Sequence, residues 1–174
     1  LYIEDSSALT ISELRSKCRQ LKSKNNLGLI IIDYLQLMST TGRVESRQQF
    51  VSDMSRSLKM LARELDVPII ALSQLNREVD KRPDHKPVLA DLRESGSIEQ
   101  DADVVMLLYR PALYGLTSER KSKFPSEGLG MVILAKHRNG ETGDVYFGHN
   151  PTLTKIGEYE PTLEWMARNA RSSC

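Results

Sequence analysis

The stretch Leu27-Gly28-Leu29-Ile30-Ile31-Ile32-Asp33-Tyr34-Leu35-Gln36-Leu37-Met38 decides the fold. The aliphatic run Leu29 to Ile32 is too short for a helix and too uniformly apolar for a half-exposed strand, so it reads as a strand buried on both faces. In open α/β sheets, ligand chemistry gathers just beyond the carboxyl ends of such strands, which is where Asp33 falls. Asp33 is therefore a candidate metal- or phosphate-site acid, the alternative being a residue that simply caps the strand or turns the chain.

Toward the amino terminus, Thr10 and Glu13 have the spacing of a capping box, and Ile11, Leu14, Cys18 and Leu21 recur at helical intervals. This predicts a helix over 11–24, stopped by Asn25-Asn26 and preceded by a short strand end at Leu1-Tyr2-Ile3. Toward the carboxyl terminus, Phe50, Met54, Leu58, Leu61 and Leu65 step by three and four. They define a helix of about 46–65 that ends before Pro68, because the residue ahead of a proline disfavours helical dihedrals. Ile69-Ile70-Ala71-Leu72 reads as a second buried strand with the polar terminus Ser73-Gln74. Residues 76–87 form a mixed-sign loop too polar to be packed, and a short helix and turn follow at 91–100. Val104–Tyr109 and Met131–Ala135 are the third and fourth strands, separated by a long surface connection over 110–128. Asn139-Gly140 signals a hairpin turn, and Asp144–Phe147 and Leu153–Ile156 read as antiparallel edge strands. In the tail from Glu158, the cluster Leu163, Trp165 and Met166 is expected to dock as a helix.

Strands alternating with helices, then strands following strands, predict a mainly parallel α/β sheet with an antiparallel carboxyl-terminal wing. The 174 residues suit one domain. A hydrophobic fraction of 40% and a charged fraction of 27% describe an ordinary globular chain, and a net charge of +1 names no partner by itself. Two distant cysteines, Cys18 and Cys174, are too few for a disulfide framework or a zinc site and suit a reducing cytoplasm. No apolar run approaches the ~20 residues of a membrane span. The start at Leu1, without Met, leads to the expectation of a fragment.

Polar residues cluster where strands should end: Asp33, then Ser73-Gln74, then Lys136-His137-Arg138. An acid can hold Mg²⁺ through water, an amide can sense a terminal phosphate, and bases can neutralise charge that develops in phosphoryl transfer. Taken alone, Lys136 and Arg138 read more readily as a solvated basic turn than as a phosphate site. No Gly-Lys dipeptide occurs, so the phosphate-cradling loop G-x-x-x-x-G-K-[ST] is absent from these residues, and the chain by itself is expected to be inactive.

The strings Ile-Ile-Ile-Asp-Tyr-Leu-Gln-Leu-Met (30–38), Ser-Gln-Leu-Asn-Arg (73–77), Asp-Leu-Arg-Glu-Ser-Gly-Ser-Ile-Glu-Gln-Asp-Ala-Asp (91–103) and Ala-Lys-His-Arg-Asn-Gly (135–140) resemble the ordered motifs of bacterial DnaB-type replicative helicases. The resemblance spans about 1 to 156, and the block at 91–103 is its most distinctive part. It implies a RecA-like P-loop ATPase core, here truncated, with residues 1–157 as part of the helicase ATPase domain and 158–174 as a tail. It further implies an ATP- and Mg²⁺-dependent motor that works in the cytoplasm as a homo-hexameric ring on single-stranded DNA, with a primase and a helicase loader as partners.

Carried over by residue, the resemblance makes Asp33 the acid that positions the magnesium ion and Gln74 the amide that couples nucleotide state to the DNA loops. Lys136 and Arg138 become a basic pair reaching a neighbouring subunit's nucleotide, whereas His137, on the opposite strand face, is not assigned a role in the chemistry. Arg93, Glu94 and Gly96 match a loop that grips the DNA backbone. A glycine there lets main-chain amides approach phosphate without reading bases, and Glu94 suits a main-chain contact or a bridge to Arg93. Arg77, Lys81, Arg82 and Lys86 could add phosphate contacts or simply be solvated. No aromatic stacking platform is visible, which argues against a static single-strand binder. The competing class is a RecA-like recombinase or a non-enzymatic single-stranded-DNA-binding or assembly module. Because the strand leading into a phosphate loop lies inside such sheets, its flanking strands would here carry open edges, and the chain is expected to self-associate, swap a strand or close the gap.

Overall fold

The computed structural model describes residues 1–6, 9–39, 46–150, 152 and 154–161, with only the main chain described at 47 and 93–96. Two compact units emerge, the first comprising Leu1–Asn76 with Leu92–Ala102 and the second Arg77–Asp91 with Asp103–Cys174. The docking helix expected around Leu163, Trp165 and Met166 lies outside the described residues.

The first unit begins with helix α1, Ile11–Asn25. Its capping box forms as the sequence predicts: the Thr10 side chain accepts from the Glu13 amide while the Glu13 carboxylate accepts from the Thr10 amide at 2.8 Å. Asn26 ends the helix in the left-handed conformation, φ 50°. Strand β1, Ile30–Ile32, leads through the Asp33 turn into a single 3-10 turn at Leu35–Leu37. Helix α2, Arg47–Leu65, is capped by the Ser46 side chain, which accepts from the Gln49 amide at 3.1 Å, and closes at a left-handed Asp66. Strand β2, Ile69–Ala71, then pairs parallel with β1 in the register Ile30↔Ile69 and Ile32↔Ala71. Met54, Leu58, Leu61 and Leu65 of α2 pack with Leu14 and Cys18 of α1, and Ile30 of β1 joins the same core. Ile98 of the short helix α3, Gly96–Asp101, packs against it as well. Leu61 is wholly buried, so truncation to Ala there removes packing worth about 2–5 kcal/mol.

The second unit is a sheet of β3 (Val104–Tyr109), β4 (Leu129–His137), β5 (Gly143–His149) and β6 (Ile156–Glu158), in that order and antiparallel throughout. Val105, Leu107 and Tyr109 are buried, while Val104, Met106 and Leu108 face outward, Leu108 at 71% exposure. The alternation follows from the period of two along a pleated strand.

Several expectations need correction. The described sheet content is mainly antiparallel, not mainly parallel: among the described strands only β1 and β2 pair in parallel. Parallel neighbours need a crossover, which α2 supplies between β1 and β2, whereas the short β4–β5 connection forces an antiparallel pair, and β3 and β6 add to it in the same antiparallel sense. β1 is not buried on both faces, since Ile31 is 62% exposed while Ile30 is inside. Leu1–Ile3 forms no strand. The 76–87 loop is packed in part: a 3-10 turn at Arg77–Lys81 buries Val79, and Lys86 pairs with Glu119 and Asp144. The 110–128 connection is more than surface, for it buries Pro111, Glu119 and Ser126 almost completely.

Candidate nucleotide and nucleic-acid site

Within the first unit, parallel pairing sets the carboxyl ends of β1 and β2 side by side, so the turns carrying Asp33 and Ser73-Gln74 leave the sheet at one edge. Leu72 N donates to Ile32 O at 2.9 Å, and Leu35 N donates back to Leu72 O at 2.9 Å. The two turns are further joined where Gln36 Nε2 donates to Ser73 Oγ at 3.2 Å. Asp33 and Gln74 are both exposed at this edge, and the peptide bond between Asp33 and Tyr34 is cis.

Among the described residues no group of three His, Cys, Asp or Glu side chains is placed to cage a metal ion. A lone exposed carboxylate at a strand end fits Mg²⁺ all the same, because that ion keeps several waters and is usually held by one or two carboxylates together with substrate phosphates. Asp33 is the residue that would hold it.

The second unit carries the basic pair. Lys136 lies in β4 opposite Val105, and the register shifts there: Val105 faces Lys136 but Met106 faces Leu134, leaving Ala135 as the extra residue of a bulge. Such bulges re-aim the side chains beyond them. Arg138 follows one residue past the strand end, yet its amide still donates to Asp103 O at 2.8 Å, continuing the ladder by one more pair. The Arg138 guanidinium sits 3.4 Å from the Asp103 carboxylate, and both side chains are about half exposed. Exposed ion pairs of this kind are worth only about 0–1 kcal/mol. His137 packs over the hairpin, its ring so close to Gly140 that a Cβ there would lie 2.4 Å from it.

Arg77 is exposed at the start of its 3-10 turn in the second unit. The main chain of Arg93 and Glu94 belongs to a 3-10 turn spanning Leu89–Ser95, and Gly96 opens α3, but the side chains at 93–96 lie outside the described residues. Asp33 and Gln74 thus stand together in one unit, while Lys136, Arg138 and Arg77 belong to the other.

Sequence reasoning did not find the polar interior of the second unit. Arg82 forms a two-pronged ion pair with Asp91, with Nη1 to Oδ2 at 2.7 Å, and Asp91 also accepts from Val88 N at 2.8 Å. The Arg82 hydrogen bonds hold the Asp91 carboxyl below the usual carboxylate range. Burial pushes the Glu119 carboxyl up, but the amide and hydroxyl of Ser122 and the charge of Lys86 outweigh it and leave the group lowered. Tyr109 donates to Asp84 O at 2.5 Å, and its phenol is pushed up to about 12, first by burial and then by the nearby charges of Asp84 and Glu119. Arg82 and Asp91 are nine positions apart and Lys86 and Glu119 thirty-three, so no local pattern announces either pair.

A family model described as "DnaB-like helicase C terminal domain" matches residues 1–158. The chain belongs to that family. The replicative DNA helicase DnaB of Leifsonia xyli subsp. xyli is 52% identical over 161 residues, which are 92% of this chain and 34% of that protein. The DnaB of Geobacillus stearothermophilus is 53% identical over 146 residues, 83% of this chain and 31% of that protein. A solved structure titled as a DnaB-like replicative helicase and its interactions with primase superposes with a TM-score of 0.81 at 42% identity, covering 91% of this chain and 38% of that one. The chain therefore spans about a third of the length of the relatives it matches. Among the described residues no helix is long and apolar enough to cross a membrane.

Proposed function

We propose that this DnaB-like helicase domain supplies the later part of an ATP-driven motor that travels on single-stranded DNA and separates the duplex ahead of it. The observation that carries the reading is the shared edge of β1 and β2, where a carboxylate and an amide emerge side by side from strands joined by a helical crossover. ATP is the substrate. Asp33 holds Mg²⁺ through water, and the ion, when bound, neutralises charge on the phosphates. Gln74 can donate to a phosphate oxygen or accept from a water, which suits an amide that reports whether the terminal phosphate is present. Lys136 and Arg138, aimed by the β4 bulge, act on the nucleotide of an adjoining protomer in a homo-hexameric ring. Arg93, Glu94 and Gly96 grip the DNA backbone, with Arg77 adding a phosphate contact. A primase and a helicase loader are the partners, primase being named with the DnaB-like helicase in the solved structure above.

Strand displacement on forked DNA tests this reading. The protein that carries this chain is expected to release the displaced strand only when ATP and Mg²⁺ are both present, and Asp33→Asn to abolish release. A mobility shift of the fork with no displaced product under any nucleotide condition would replace the motor with a DNA-binding or assembly module.

A further inference from the structure

We propose that Gln36 and Ser73 form the positioning link through which the turn after Asp33 sets the place of Gln74. The proposal rests on the motor reading above and adds two residues to it. Gln36 is the one polar side chain in the string Leu35-Gln36-Leu37-Met38, and it is half buried rather than turned out to solvent. The segment around it is a closed 3-10 turn: Leu37 N donates to Tyr34 O at 3.0 Å and Met38 N to Leu35 O at 3.1 Å. From this turn two bonds cross to the end of β2. Leu35 N holds Leu72 O at 2.9 Å, and Gln36 Nε2 holds Ser73 Oγ at 3.2 Å. The Ser73 hydroxyl in turn donates to the carbonyl of Gln74 at 3.4 Å. A displacement of the Asp33 turn is therefore passed to residues 72 and 73 and, through that hydroxyl, to the main chain of Gln74.

The pair also has a second hydrogen-bonding arrangement available. Gln36 Oε1 is buried and has no hydrogen-bond partner, a costly condition for a buried acceptor. If the carboxamide reverses, the Ser73 hydroxyl donates to Oε1 and releases the Gln74 carbonyl. Each arrangement satisfies one group at the expense of another, which gives the link two discrete states, the requirement for carrying a signal between sites. Gln36 and Ser73 are positioning residues: neither needs to touch nucleotide.

The test compares ATP turnover with and without single-stranded DNA in the protein that carries this chain, for wild type, Gln36→Ala, Ser73→Ala, Ser73→Thr and the Gln36→Ala/Ser73→Ala double variant. The expected result is an about tenfold loss of DNA stimulation in each Ala variant. Ser73→Thr, which keeps the hydroxyl, should restore stimulation, and the double variant should lose no more than either single one. Full stimulation in both single variants, an equal loss in Ser73→Thr, or a double variant whose loss is the product of the two would overturn the link. Wild-type protein that shows no stimulation by DNA would instead overturn the motor reading on which the link rests.

Discussion

At the scale of single residues, charge and burial decide what each group can do. Asp91 is 2% exposed, and the forked guanidinium of Arg82, with the Val88 amide, favours its ionised form. A planar fork matches a carboxylate with two parallel bonds, so Lys cannot replace Arg82 without loss. The folded pKa of Asp91 lies below the unfolded value of about 3.9. The pair's stabilisation is therefore present above that value and lost as pH falls through the depressed folded pKa. Asp91→Asn is expected to lower stability near neutral pH by about 2–3 kcal/mol and to flatten its fall on acidification, as read by thermal melts from neutral pH to about pH 2. An acid limb as steep as wild type would assign that limb to other carboxylates. Arg138 presents the opposite case: its pairing with Asp103 is about half exposed, and ion pairs of that kind add only about 0–1 kcal/mol.

At the scale of elements, what was legible was what is local. Thr10 and Glu13 announced the start of α1, and the three-and-four steps from Phe50 to Leu65 announced α2, because caps and amphipathic faces are written within a few residues. Asn139-Gly140 announced the β4–β5 hairpin for the same reason. Sheet order was not legible, since the apolar run of β3 does not say whether its neighbour runs with it or against it. The exposure of Ile31 and the burial of Glu119 were hidden as well, for each depends on groups far away in sequence. Of the candidate site, the acid and the amide could be placed from strand ends alone, whereas the Gln36–Ser73 bond across the edge could not. The lone amide in an apolar string was the only hint of it. Gly130 shows how closely β4 and β5 fit: it faces Phe147, and a Cβ there would come within 2.1 Å of the ring. Gly130→Ala is expected to destabilise the protein by about 1–3 kcal/mol in denaturant titrations. Shortening the partner with Phe147→Leu should relieve part of that cost, so that the double variant loses less than the sum. Strict additivity would mean that the ring moves aside freely.

At the scale of the whole molecule, apolar surface is left uncovered in each unit. Leu29, Ile31, Ile70 and Leu72 are exposed along the parallel pair of the first unit, and Val104, Met106 and Leu108 along β3 of the second. Surfaces of this kind mark association sites or aggregation hazards. Sedimentation equilibrium of the isolated 174-residue chain is expected to show a mass that grows with concentration. A constant 19.7 kDa monomer over a wide range would contradict this. In a ring, each nucleotide would draw on two protomers, Asp33 and Gln74 from one and Lys136 and Arg138 from the next. Mixing inactive subunits puts that arrangement to the test. In the protein that carries this chain, Arg138→Ala rings and Asp33→Asn rings are each expected to lose ATP hydrolysis by about a hundredfold or more. Random mixtures at equal ratio should regain turnover, since about a quarter of the interfaces then pair an intact acid with an intact base. Recovery in the mixture is the expected result; Arg138→Ala rings that hydrolyse ATP at the wild-type rate, or mixtures that remain as inactive as their parents, would contradict it.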